Sequence, residues 1–169
     1  MGLRDDGQPL DATDRLAPRA GRAWSFSHDL SAGEILPVRF AQLPPAEAAS
    51  RLFVDLDADL AARFEPGDIL VAGHHLGIGD GGAAAARALA AAGFGAVIAA
   101  SFAPGFDEAV LAAGLPALEV DAPAIFHTGN HLRINFEAGT IANLSSGDRQ
   151  PVRNLTDALL ERLRASLAR

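Results

Sequence analysis

The chain is predicted to fold as an α/β domain with a partly parallel sheet. Short, continuous apolar runs, ILVAG at 69–73 and AVIAAS at 96–101, are typical of strands that are covered on both faces. Helical patterns separate these runs, so that strand–helix–strand units follow one another along the chain. Hydrophobic residues make up 49% of the 169 positions, which is enough to form a packed core within one domain.

Apolar runs and alternating patterns mark the expected strands. We expect strands at 21–27, 69–73, 96–101 and 114–120, and a hairpin within 131–147. In the hairpin, Leu132, Ile134 and Phe136 alternate before Gly139 turns the chain, and Ile141 and Leu144 return. The segment SHDLSAGE (27–34), which follows the first strand, is expected to be a loop.

Helices are expected at 45–53, 81–92, 107–114 and 154–169. Pro44 and Pro45 favour a helix start, because a proline there gives up only N–H groups that would be unpaired. Gly93 is typical of a helix end, and acidic residues in the first turn of the third helix match the helix dipole. Thr156 is a plausible N-cap of the last helix, in which leucines recur at helical spacing.

Composition excludes several classes of function. A net charge of −7, with every cation a scattered arginine, disfavours a nucleic-acid partner. The absence of cysteine excludes disulfides and any iron–sulfur cluster ligated by this chain. No apolar stretch is long enough for a membrane span, and the polar N-terminus lacks a signal-peptide core. We therefore expect a cytoplasmic protein with a flexible lead-in at 1–20 and one domain at 21–169.

The chemically most informative stretch is the glycine-rich loop GHHLGIGDGG (73–82) between a strand and a helix. Gly77, Gly79 and Gly82 match G-x-G-x-x-G, which suggests a dinucleotide site. Against this interpretation, His74 and His75 lengthen the turn, and the next strand ends in serine rather than in an acid that would hold a ribose.

The free N–H groups at the start of the following helix favour a negative group. Asp80 supplies one if it caps the helix. In the alternative interpretation, a substrate carboxylate lies there instead. Because an ionised Asp80 would repel a second anion, the two interpretations compete.

A sequence of segments, in order, carries a resemblance to a known family: GRAWSF, ILPVRF, GDILVAG, AGFGAVIAASFA, GLPALEV and FEAGTIANLSSG. Over nearly the whole chain from Gly21, it resembles the small subunit of 3-isopropylmalate dehydratase, the stand-alone swivel domain of the aconitase family. The resemblance implies a swivelling β/β/α domain that forms a heterodimer with a large subunit. It also implies that the large subunit carries a [4Fe–4S] cluster, with none bound by this chain, and that the pair hydrates and dehydrates a hydroxy acid in leucine biosynthesis.

The polar motif residues of that family are mostly replaced here. The family loop is similar to G-x-N-F-G-x-G-S-S-R-E-H, in which the first serine is the base and the arginine holds a substrate carboxylate. Asp80, Gly81 and Gly82 stand at the two serines and the arginine, and Pro104 replaces a second arginine. Ser31, Ala32 and Gly33 stand where the family has D-T-D, whereas Arg39 is retained.

The resemblance therefore predicts a degenerate active site with an altered substrate loop. Asp80 is the predicted catalytic base, and the predicted substrate-binding residues are His75, Gly77, Gly79, Gly81, Gly82 and Arg39. Each lost arginine contact is worth about 1.5–3 kcal/mol, so that a less charged hydroxy acid is the more favourable substrate.

A metal site is a further hypothesis. His74 and His75, with Asp80, contain donors that zinc accepts, but adjacent histidines point in different directions. We expect no metal ligands on this chain and treat the histidines, His28 included, as solvated or partly packed.

Two hypotheses of function remain, one for an enzyme subunit and one for a protein without catalytic activity. The first is a hydro-lyase small subunit that acts only with its large subunit. The second is a non-catalytic paralogue that binds or stabilises such a partner.

Overall fold

One mixed sheet organises the protein, for which a computed structural model describes residues 16–167. Within that range the sheet has seven strands, in the spatial order β4-β3-β2-β1-β5-β6-β7. The strands are β1 (Arg19–Ser25), β2 (Ile69–Ala72), β3 (Ala96–Ala99), β4 (Ala117–Glu119), β5 (His131–Asn135), β6 (Thr140–Asn143) and β7 (Arg149–Pro151).

Strand β1 joins a parallel half of the sheet to an antiparallel half. Its second part pairs with β2 in parallel, with Ala23 opposite Ile69, and β3 and β4 extend this half. Its first part pairs with β5 in antiparallel, with Gly21 opposite Leu132, and β6 and β7 extend that half. The carboxyl ends of β1, β2, β3 and β4 therefore lie along one edge of the sheet.

Five α-helices complete the described part of the chain: α1 (Ala32–Ile35), α2 (Pro45–Ala49), α3 (Gly82–Ala91), α4 (Phe106–Ala112) and α5 (Asp157–Leu167). Helix α3 ends as expected, because Gly93 adopts a φ of +94° just beyond it. At the start of α5, the Leu159 N–H donates to Thr156 Oγ1 at 3.2 Å, which confirms Thr156 as the cap.

Two apolar clusters lie on opposite faces of the parallel strands. In β2, Leu70 and Ala72 face the cluster that contains the buried residues of α1, α2, α3 and α4. Ile69 and Val71 face the other cluster, which also contains the inner residues of β5 and β6 and, from α5, Leu159 and Leu163. Because both faces are covered, these strands read as continuous apolar runs, and the predicted α/β class is confirmed.

Two predicted segments differ from the structure, and one strand of the structure was not predicted. The segment 27–34 is not all loop, because α1 begins within it on a capping box of Ser31 and Glu34. The N–H of each of these residues donates to the side chain of the other at 3.0 Å. Helix α2 ends at Ala49 instead of Phe53. Strand β7 was missed because only Gln150 of its three residues is buried, so that it has no apolar pattern.

The predicted lead-in at 1–20 lies mostly outside the described residues. Within them, Leu16 is buried in the second cluster, and β1 begins at Arg19 rather than Gly21. No helix in the described range is long and apolar enough to cross a membrane.

Candidate functional site

The glycine-rich loop lies at the carboxyl edge of the parallel strands, between the end of β2 and the start of α3. Neighbouring loops run beside it and continue the parallel pairing. The Gly77 N–H donates to the Leu30 carbonyl at 2.7 Å, and the Leu76 N–H donates to the Ser101 carbonyl at 3.1 Å. The loop is thus held on both sides by backbone hydrogen bonds, although it contains no regular strand.

The loop glycines serve two different purposes. Gly77, Gly79 and Gly81 have φ of +87°, +89° and +90°, which disfavours any other residue. At Gly77 a side chain would also collide with the Phe106 ring, since its Cβ would lie 2.1 Å from Cγ. Gly79 and Gly81 have open space at that position. They leave the tip of the loop uncovered, so that its backbone is accessible to a ligand.

Asp80 lies between these two open glycines, and its side chain is exposed. The residue before α3 is Gly81, and no side chain caps the helix, so the interpretation of Asp80 as an N-cap is wrong. Among the described residues, its carboxylate has no hydrogen-bond partner. Gly82 begins α3 next to it and packs against Phe106.

His75 forms a side-chain pair that the sequence analysis did not anticipate. Its Nδ1 lies 2.8 Å from Asp29 Oδ1, and the two side chains are 65% and 63% exposed. Because an ionised carboxylate only accepts, Nδ1 carries the proton of this hydrogen bond.

Both residues of this pair have a left-handed backbone, with φ of +61° at His75 and +60° at Asp29. Such strain in non-glycine residues often accompanies functional sites. The sequence contained one indication of this pair. Asp29 follows β1 as His75 follows β2, and the carboxyl ends of neighbouring parallel strands meet at one edge of the sheet.

Two further histidines lie beside this pair. The rings of His28 and His74 stack at 5.3 Å between centroids, with 18° between their planes. Within residues 16–167, no group of three or more histidine, aspartate or glutamate side chains is placed to hold a metal ion.

Arg39 does not contact the loop in the described part of the chain. It lies in a short 3-10 turn after α1, where its guanidinium donates twice to Asp55, at 2.9 and 2.5 Å, and lies over the Phe40 ring. These hydrogen bonds raise the pKa of Arg39 and lower that of Asp55. Binding a substrate would require Arg39 to exchange this partner.

The dinucleotide interpretation has little geometric support. Gly77 and Gly79 lie in the middle of the extended loop 73–81 and not in a tight turn directly after β2.

Comparisons with known proteins find similar relatives by sequence and by structure. No family model matches the chain. It is 36% identical to 3-isopropylmalate dehydratase small subunit 2 of Archaeoglobus fulgidus, over 83% of this chain and 86% of that protein. It is 33% identical to the isopropylmalate/citramalate isomerase small subunit of Methanocaldococcus jannaschii, over 86% and 88%. The crystal structure of 3-isopropylmalate dehydratase from the latter organism superimposes with a TM-score of 0.82, at 26% identity, over 89% of this chain and 90% of that one.

Proposed function

The chain belongs to the family of 3-isopropylmalate dehydratase small subunits, and from this we propose that it acts on a hydroxy acid through an altered substrate loop. It is the small subunit of an isopropylmalate-dehydratase-type hydro-lyase. The observation that carries the proposal is the loop 73–82, which backbone hydrogen bonds to the neighbouring loops hold at the edge of the sheet while its tip stays open.

The working enzyme is proposed to be a heterodimer with a large subunit that carries the iron–sulfur cluster. The chain itself contains no cysteine, so that it has no thiolate to bind such a cluster. The cluster would supply Lewis-acid chemistry from the partner's side. The family implies a role in leucine biosynthesis, and we place the complex in the cytoplasm.

Asp80 is proposed as the group that takes a proton from the substrate carbon. In a dehydration, the base removes hydrogen from one carbon and the neighbouring carbon loses its hydroxyl group, which leaves as water after gaining a proton. The carboxylate of Asp80, exposed between the two open glycines, is placed to take part in the first of these steps.

The other predicted residues would bind the substrate. His75, oriented by Asp29, would donate or accept through Nε2. Gly79 and Gly81 would let the substrate approach the backbone at the open tip, and Gly77 and Gly82 would support the loop by leaving room for the Phe106 ring. Arg39 would bind the substrate only after its guanidinium releases the carboxylate of Asp55.

Turnover in the reconstituted complex tests this assignment. The native large subunit is combined with this chain, and the unsaturated product of 3-isopropylmalate is followed by its ultraviolet absorbance. We expect Asp80→Asn to lower kcat at least a hundredfold, the lower bound of general-base catalysis, without preventing assembly. Asp148→Asn, an exposed acid in the turn between β6 and β7, is the matched control. Equal turnover of parent and Asp80→Asn would exclude Asp80 as the base.

The second candidate is a non-catalytic subunit. It is favoured by one observation, the replacement of two family arginines by Gly82 and Pro104, which removes both charged contacts to a substrate. In that case the chain would co-purify with the large subunit anaerobically, but the complex would not turn over any hydroxy acid.

A further inference from the structure

A pocket of about 420 Å³ opens at the same edge of the sheet, where Gly73 and His74 begin the glycine-rich loop, and its lining does not include the open tip of that loop. It lies where the ends of the four parallel strands meet, and its polar lining is Ser25, Ser27, His28, His74 and Asp121. None of the residues in the predicted substrate site lines it. Its size lies within the range of small-molecule sites, and its position at strand ends is where such sites occur in α/β sheets.

The His28 ring is held in one orientation and one neutral tautomer. The backbone N–H of His74 donates to His28 Nδ1 at 2.7 Å, so that Nδ1 must have its lone pair free. The proton of the neutral ring is therefore on Nε2. Gly73 makes this placement possible, because a Cβ there would lie 2.2 Å from the same Nδ1. The ring occupies the space that any larger residue at Gly73 would need.

His74 is oriented in the same sense by Ser101. The Ser101 hydroxyl accepts the backbone N–H of His75 at 3.0 Å and lies 3.1 Å from His74 Nδ1. The Ser101 hydroxyl hydrogen can point at His74 Nδ1 while the oxygen accepts the His75 N–H, and in this arrangement the ring proton of His74 is on Nε2. The two stacked rings then present two neighbouring N–H donors.

The acid at the rim of the pocket is already paired. Arg153 Nη1 donates to Asp121 Oδ1 at 2.6 Å, and Nη2 donates to Glu119 and to the Ala100 carbonyl. The two carboxylates raise the pKa of Arg153. The charge of Asp121 is therefore partly neutralised by Arg153.

We propose that this pocket binds the carboxylate of a small aliphatic acid, with the Nε2–H groups of His28 and His74 as the donors. Two neighbouring donors match the two oxygens of a carboxylate. Ala100, Pro123 and Ala124 line the pocket beside them and provide apolar contacts for a short hydrocarbon body. A monocarboxylate fits better than a dicarboxylate, because the chain has a net charge of −7 and the pocket contains no arginine of its own. The proposal is independent of the hydro-lyase activity.

Isobutyrate and its neutral isostere isobutyramide test the charge requirement on the full chain. With ¹⁵N-labelled protein, we expect isobutyrate to shift the ring resonances of His28 and His74 saturably, with the amides of Gly79 and Gly81 unmoved. Isobutyramide should bind at least tenfold more weakly. Equal affinity for the amide, or shifts confined to Gly79 and Gly81, would overturn the proposal.

Variants test the donors. His74→Phe keeps a stacked ring but removes the donor, and it should raise the Kd for isobutyrate at least tenfold. The matched control His131→Phe, at an exposed position on β5 outside the pocket, should leave Kd unchanged. Ser101→Ala keeps both imidazoles but removes the hydroxyl that contacts His74 Nδ1 and accepts the His75 N–H, and we expect a threefold to tenfold rise in the Kd for isobutyrate. This second variant keeps the test decisive if His74→Phe folds poorly. Unchanged binding in Ser101→Ala and in a folded His74→Phe would exclude these histidines as the ligands.

Discussion

The parallel strands β2 and β3 are buried at every position, whereas β5 in the antiparallel half alternates between buried and exposed residues. The difference arises because helices cover one face of the parallel strands and the second cluster covers the other. Strands β2 and β3 thus have no free face for polar chemistry. The polar residues nearest to them lie in the loops at the strand ends, where Asp29, His75 and Asp80 are found. The antiparallel half can carry exposed side chains along its strands.

Adjacent alanine substitutions provide the strongest test of this difference. In β2, Ile69→Ala and Leu70→Ala should each destabilise the fold by about 2–5 kcal/mol, because both side chains are fully buried on opposite faces. In β5, Leu132→Ala should cost the same, but its exposed neighbour Arg133→Ala should change stability by about 0.5 kcal/mol or less. Urea unfolding gives all four values. A large loss for Arg133→Ala would contradict the one-sided burial of β5.

Where β1 joins the parallel and antiparallel halves of the sheet, the fold should be sensitive to substitution of Gly21. A Cβ at this position would lie 1.9 Å from the Gly67 carbonyl oxygen, a backbone atom that cannot move aside alone. We expect Gly21→Ala to destabilise the protein by about 3 kcal/mol, as overpacking does. Gly33→Ala is the control, because a Cβ in α1 would meet only Ser31 Oγ at 3.9 Å. It should stabilise by about 0.5–1 kcal/mol through helix propensity. The Tm values of both variants, compared with the parent, test these two expectations.

Asp68 links the turn before β2 to β1 at the same junction. Its carboxylate is only 3% exposed and accepts from Trp24 Nε1 at 2.7 Å and from the Glu65 N–H at 2.9 Å. Arg22 Nη2 lies 3.3 Å away. Asp68→Ala leaves these donors without an acceptor and should cost about 2–3 kcal/mol. Asp57→Ala removes an exposed carboxylate and should cost about 0.5 kcal/mol or less in the same urea experiment. If both variants lost similar free energy of unfolding, the burial of Asp68 could not be the reason for its contribution to stability.

The smallest change in stability is expected for an exposed ion pair that joins α4 and α5, which cover opposite faces of the parallel strands. Arg162 on α5 donates to both carboxylate oxygens of Glu108 on α4, at 3.0 and 2.9 Å, and lowers the pKa of Glu108. A lowered folded-state pKa stabilises the fold above the unfolded-state pKa, and this stabilisation is lost as the pH falls through the folded-state value.

Arg162→Gln should therefore be slightly less stable than the parent at neutral pH and equal to it in strong acid. Urea midpoints across an acid pH series measure this difference. Arg87→Gln, an exposed substitution on α3, should show a difference from the parent that does not vary with pH. A constant difference for Arg162→Gln as well would contradict the role of the pair.

Much of the fold could be read from local patterns. Continuous apolar runs predicted β2 and β3 because both faces of each strand are buried. Gly93 and Thr156 marked helix ends because their roles depend on neighbours within a turn. Helix α1 was missed although its S-x-x-E capping box was visible in Ser31 and Glu34. Strand β7 left no such signal, because its pairing with β6 rather than its own composition makes it a strand.

The candidate site was only partly predictable. The position of Asp80 followed from the resemblance and from the glycines around it, but its role as a cap could be judged only from the backbone geometry of Gly81. The pairing of His75 with Asp29, and the stacking of His28 on His74, join residues that are 46 positions apart. Such contacts depend on which strands become neighbours.

The sequence by itself determined the α/β class, the family, the positions of the loop glycines and the absence of any thiolate for a cluster. These properties rest on residue identity and short-range order. The tertiary structure alone decided that β1 serves both halves of the sheet and that four strand ends converge on one edge. It also decided which histidine faces which partner. The physical reason is that side-chain pairs across parallel strands are set by sheet order and register, and neither is encoded within a single segment.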